Sequence, residues 1–183
     1  MNTFLGLPAH PLLVHLPVVL LPLTAVGVVL LVARRAWCER YRWVVLGIGV
    51  IGTVGAILAA QSGEGLEEQL RAKEGTAAVQ AIHDHTEAGD LARTVAIVFL
   101  AALAAYVVIP WLLERSARRA AGHETSSPGR EGQAKATPRW LRVVLSLIVI
   151  AAASASTVTV IEAGHSGASR AWEEFATHGS AGG

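Results

Sequence analysis

Leu7-Pro8-Ala9-His10-Pro11-Leu12-Leu13-Val14-His15-Leu16-Pro17 is almost wholly apolar, yet it carries two histidines and three prolines. It leads into the run Leu12–Ala33, where only His15 and Thr24 bear polar side chains. A helix that crosses a bilayer needs roughly 20 apolar residues, and this run is long enough. An ionisable side chain inside such a run is costly and is by default a functional-site hypothesis. What His10 and His15 meet is therefore the first question the sequence asks.

Composition sets the class. The 183 residues are 52% hydrophobic and only 16% charged, with mean hydropathy +0.47. Soluble domains carry about 25% charged residues, so the chain reads as one integral membrane domain. A net charge of +1 offers no basic excess for nucleic acid. Lone Cys38 permits no intrachain disulfide. No basic residue precedes Arg34, and the first apolar run is too long for the core of a signal peptide, so none is expected.

Four spans are expected. They are Leu12–Ala33, Trp43–Ala60, Thr94–Leu113 (about 91–113 with its flanking turn) and Val143–Ile161 (about 140–161). Only helices satisfy the backbone of such segments in hydrocarbon. The expected fold is therefore all-α: an integral membrane four-helix bundle of two helical hairpins within residues 1–170. Pro17 and Pro22 are expected to kink the first helix. The outer segment Gln61–Leu91 is expected to be partly helical, with Gly75 as its break. Residues 116–138 read as a disordered inner linker and 171–183 as a flexible tail, because both are rich in Gly, Ser and charge.

Basic residues give the orientation. Of the 15 Lys+Arg, 11 fall on the side of the Arg34–Arg42 and Arg115–Arg142 segments; Arg71, Lys73, Arg93 and Arg170 fall on the other. Basic loops stay cytoplasmic, which places both termini outside a bacterial inner (plasma) membrane. Trp43, Trp111 and Trp140 mark the inner interface. In span two, Gly52, Ala56 and Ala60 recur every four residues. Such a face lets helices approach closely, either within the bundle, with Ala151–Ser156 as partner, or in a homodimer.

This topology gathers five of the seven histidines at one membrane face: His10, His15, His83, His85 and His165. At about 1.5 Å per residue, His10, His85 and His165 lie at similar heights, with His15 about 7–8 Å deeper, inside the span. His83 and His85 point to opposite sides of a helix. His85 is the better candidate, because Gly89 one turn later leaves room for a bulky ligand.

The segments His10-Pro11-Leu12-Leu13-Val14-His15-Leu16-Pro17, Ser62-Gly63, His85 with Gly89, and Gly164-His165-Ser166-Gly167-Ala168 resemble the bacterial membrane family catalogued as domain of unknown function 2231. The likeness covers nearly the whole chain apart from the inner linker and the last residues. It implies four helices and a histidine-lined outer face, and it implies no reaction. The partly acidic Trp172-Glu173-Glu174-Phe175 departs from the family's hydrophobic tail.

Histidines from several helices of a bundle suit a cofactor. Two imidazoles on either side of a plane suit b-type haem, which would pass electrons to or from an external redox partner or a quinone. His15, His85 and His165 are the expected ligands, with His10 as a substitute. A transition metal ion held by His15, His85, Glu162 and His165 is the alternative, since Glu162 and His165 share a helix face. A single Glu-x-x-His disfavours a di-iron carboxylate site. Cys38 lies at the opposite face, which disfavours a cysteine–histidine nucleophile. Plainer roles stand beside these: His10 ends a loop, His83 and His85 are solvated, and His165 caps a helix. On those roles the chain is a non-catalytic structural or interaction subunit in the lipid bilayer.

Overall fold

The computed structural model describes residues 3–4, 7–71, 76–123 and 137–179, with side chains described for 14–62, 87–119 and 137–165. A two-residue ladder pairs β1 (Thr3–Phe4) with β2 (Leu7–Pro8), antiparallel. Four helices follow: α1 (Ala9–Ala33), α2 (Arg35–Arg71), α3 (Thr76–His123) and α4 (Arg139–Gly179). Within them, Val14–Ala33, Arg35–Ser62, Glu87–Arg119 and Arg139–His165 are long and apolar enough to cross a membrane.

The helices form an up-and-down ring in chain order, with α4 closing against α1. Each turns a narrow stripe inward. On α1 it is Pro17, Leu21, Thr24, Val28 and Leu31; on α3, Ala92, Ala96, Phe99, Leu103 and Val107. On α4 it is Leu145, Val149, Ala153, Ser156 and Val160. The steps of three and four residues follow the 3.6-residue period. The opposite faces are just as apolar: Val19, Leu23, Val26 and Leu30 on α1, and Leu147, Ile148, Val158 and Ile161 on α4, are exposed. A bundle hydrophobic all round belongs in lipid.

Several hydroxyls in these spans are satisfied by their own helix. Thr24 Oγ1 donates to the Leu20 carbonyl at 2.6 Å, and Ser154 and Thr157 donate to carbonyls four residues back. This explains how span four tolerates Ser154 and Thr157 in hydrocarbon, where an unmet polar group is costly.

The helices outrun their expected limits. Residues 35–42, read as loop, are the first turns of α2, and only Arg34 separates α1 from α2. An i,i+4 pair between Arg35 and Glu39 at 3.4 Å supports that start. Residues 116–123, assigned to the inner linker, continue α3, as the helix-favouring Ala and Arg there permit. Residues 171–179 of the expected tail continue α4. At the opposite end of the bundle α2 runs to Arg71 and α3 starts at Thr76, while Gly75 lies outside the described residues. Likewise 124–136 of the linker lies outside them.

The small-residue face of α2 finds its partner in α1. The expected partner Ala151–Ser156 lies across the ring on α4, which packs beside α1 and α3. A Cβ at Gly52 would stand 3.2 Å from Leu20 Cβ, and one at Gly55 would stand 2.8 Å from Leu16 Cβ and 3.2 Å from Pro17 Cδ. Burial gives helices in lipid little reason to associate, so close van der Waals approach matters most. Gly55→Ala therefore forces α1 and α2 apart, because Leu16 Cβ and the Pro17 ring cannot rotate away. We expect it to cost about 1–3 kcal/mol despite alanine's better helix propensity. Gly47→Ala, with nothing within 4 Å of the new methyl, should leave stability unchanged or slightly raised. Thermal melts of the two variants in one detergent check this, and equal melting temperatures would refute the close-packing account.

Candidate functional site

The two ends of the bundle are chemically different. At the first, α1 and α4 meet where Val18 Cγ2 stands 3.5 Å from the Cβ position of Gly164. His15 is one turn outward on α1, and His165 directly follows Gly164 on α4. Both side chains are exposed, as is Glu162. His15 had been expected inside the span. It is two residues, about 200° of helix, from the inward Pro17, so its ring faces away from the core. The same offset separates Glu162 from buried Val160.

His10 and His85 lie in α1 and α3, as does His83, but their side chains are outside the described residues. Gly89, which the sequence marked as making room beside His85, has open space around its Cβ position. Nearby, Arg93 pairs with Asp90 at 3.2 Å. Among the described residues no three His, Cys, Asp or Glu side chains converge as a metal-holding group.

The second end holds a feature the sequence reading missed. A cavity of about 170 Å³ opens where all four helices meet. From α2, Arg35, Cys38, Glu39 and Arg42 line it. Across from them stand Tyr106 and Glu114 of α3, with Arg142 and Ser146 of α4. Leu31, Val107 and Leu145 give it an apolar floor.

Glu114 ties this end together. Its Oε1 lies 3.5 Å from Arg142 Nη2 and 3.9 Å from Arg35 Nη2, so one carboxylate joins three helices. Arg42 is different: its Nε is buried and has no acceptor among the described residues. Pro110 sits in the same wall, where the helix lacks one N–H. Outside the cavity an aromatic girdle surrounds the helix ends. Trp43 and Trp111 meet edge to face at 5.6 Å, and the guanidinium of Arg115 stands 5.1 Å from the Trp111 ring. Arginines with indole rings are typical of the headgroup layer. The sequence did carry a signal for this site: Glu39 and Glu114 are the two acids within the described part of an otherwise basic side. Two acids among many arginines do not alter the basic asymmetry that sets topology, so their pairing shows only in the folded chain.

A family model described as a predicted membrane protein, DUF2231, matches residues 6–178. No curated protein and no solved structure matches the chain.

Removing the shared carboxylate should loosen the arginine end. Glu114→Ala leaves both Arg35 and Arg142 without it, and we expect the melting temperature to fall by roughly 2–4 °C, about 1 kcal/mol. Glu39→Ala removes only a well-exposed pair and should change it by less. Differential scanning fluorimetry of both variants tests this, and the reverse order would show that Glu114 does not join the helices.

Proposed function

The chain belongs to the DUF2231 family of predicted membrane proteins, and from that premise we propose that its histidine end binds a redox cofactor, most simply b-type haem. The observation that carries the proposal is the direction of the inward stripes. Seven residues, two turns, before Pro17 stands His10; seven before Ala92 stands His85. The period that buries Pro17 and Ala92 thus falls on one histidine in α1 and one in α3, helices that face each other across the ring.

Their heights agree as well. Thr53 Oγ1 lies 3.5 Å from the Ala96 carbonyl, while Gly52 abuts Leu20 and Leu21. Counting outward in antiparallel register from these contacts brings His10 and His85 to within about one turn of each other. Two neutral imidazoles from facing helices suit axial ligation of haem iron. His15 and His165 flank this end on exposed faces, suited to contact with an external redox partner or a quinone. A transition metal ion held by His85, His15, Glu162 and His165 would ask three outward side chains to converge, so we place it second.

The basic asymmetry orients the protein. We read the arginine end as cytoplasmic and the histidine end, with both termini, as facing outward across a bacterial plasma membrane. Single cysteines introduced on a Cys38→Ser background test this. Cysteines at positions 64–74 should react with an impermeant reagent in intact cells, and those at 124–136 should not; the opposite pattern reverses the orientation.

Absorption spectra of protein expressed with ample haem and reconstituted with haem test the cofactor. Haem bands are expected for the parent and for His123→Leu. His10→Leu and His85→Leu should abolish bound haem, while His15→Leu and His165→Leu should weaken it at most a few-fold. If the parent shows no haem bands, the haem reading fails, and elemental analysis then separates a metal-binding protein from a non-catalytic membrane subunit.

A further inference from the structure

We propose that the cavity at the arginine end is a binding site for the phosphate of an anionic phospholipid headgroup. It lies at the other end of the bundle from the histidines and does not depend on the reading of that end.

Charge is the first argument. Three arginines and two glutamates line the cavity. Both carboxylates are engaged, Glu39 by Arg35 and Glu114 by Arg35 and Arg142. No described carboxylate pairs with Arg42, and its buried Nε lacks an acceptor. A buried guanidinium N–H without an acceptor is costly, and three arginines against two glutamates leave the lining one positive charge in excess.

Size and place are the second. Water occupies about 30 Å³ per molecule in the liquid, so a cavity of about 170 Å³ has room for a phosphate group with its ester oxygens. Arginine presents its donors as a planar fork that matches phosphate oxygens. The cavity also lies at headgroup depth, within the girdle of Trp43 and Trp111. Its apolar floor of Leu31, Val107 and Leu145 favours an amphipathic ligand over a fully hydrated ion. Basic pockets between membrane helices are suited to such headgroups.

The test uses the full chain in a neutral detergent. Its thermal unfolding is followed while short-chain phosphatidylglycerol, short-chain phosphatidylcholine or inorganic phosphate is titrated. Phosphatidylglycerol should raise the melting temperature to a plateau, and the other two should not. Arg42→Gln should weaken that response at least about tenfold. Arg119→Gln, an exposed arginine on α3 outside the cavity, should respond like the parent. Equal effects of the two lipids would overturn the proposal, as would an Arg42→Gln protein that responds like the parent. Saturation by inorganic phosphate alone would overturn the lipid assignment and make the ligand a soluble phosphate. Should Arg42→Gln fail to fold, the three titrations of the parent still decide.

Discussion

The close approach of α1 and α2 is the contact on which the rest of the bundle depends. In hydrocarbon, helices gain little by hiding apolar side chains from equally apolar lipid. They associate where backbones can come near. Gly49, Gly52 and Gly55 provide that nearness in steps along α2, against Thr24, Leu20 with Leu21, and Leu16 with Pro17. Each step outward on α2 is matched by a step outward on α1, so the two are locked antiparallel in one register. The single residue Arg34 between them leaves no slack to slip: its N–H bonds back to Leu30 while its carbonyl accepts from Trp37 and Cys38. With that hairpin fixed, Gly49 also reaches Leu103, and Thr53 reaches the Ala96 carbonyl, which sets the height of α3. The levels at both ends of the bundle follow from these contacts.

Much of this was legible in the residues. Four spans, the small-residue face, the girdle of tryptophans and the charge asymmetry all come from composition and period, which lipid constrains severely. The lengths of the helices were not legible. Propensity, capping and exposed ion pairs decide where a helix stops once it leaves the bilayer, and hydropathy is blind to them. The partner of the Gly52 face was not legible either, because a small-residue stripe says that something comes close and not which helix does. His15 shows a third kind of gap. Its place in an apolar run suggested burial, but a run says nothing of azimuth. Only the stripe beginning at Pro17 tells that the position faces outward.

That stripe also alters how the histidines are to be weighed. His15 looked the most constrained because it sat deepest in the apolar run. With the inward faces of α1 and α3 described, the proposed function rests instead on His10 and His85, seven residues before Pro17 and Ala92. The sequence contained this spacing from the outset. It could not be used without knowing that Pro17 and Ala92 point inward, since the same spacing on an outward face would describe two lipid-facing or solvated rings.

The prolines add a last constraint. Pro22 and Pro110 each deprive a carbonyl one turn earlier, those of Val18 and Tyr106, of the usual helical donor. Neither carbonyl lies at random. Val18 is the α1 residue that touches the Gly164 position beside His165, and Tyr106 lines the arginine-end cavity. Helices tolerate such gaps in a bilayer where neighbouring chain or water can meet the released carbonyl. At the arginine end a polar cavity is already there to do so. The same argument applies at the histidine end, where the seam between α1 and α4 comes to the surface. Ser156 is the contrast: its hydroxyl is wholly buried and has no partner among the described residues, and it lies away from the charged side chains of the arginine end. A missing hydrogen bond alone therefore does not mark a site. What distinguishes the arginine end is that a break in the helix ladder coincides there with a cavity lined by clustered charged side chains.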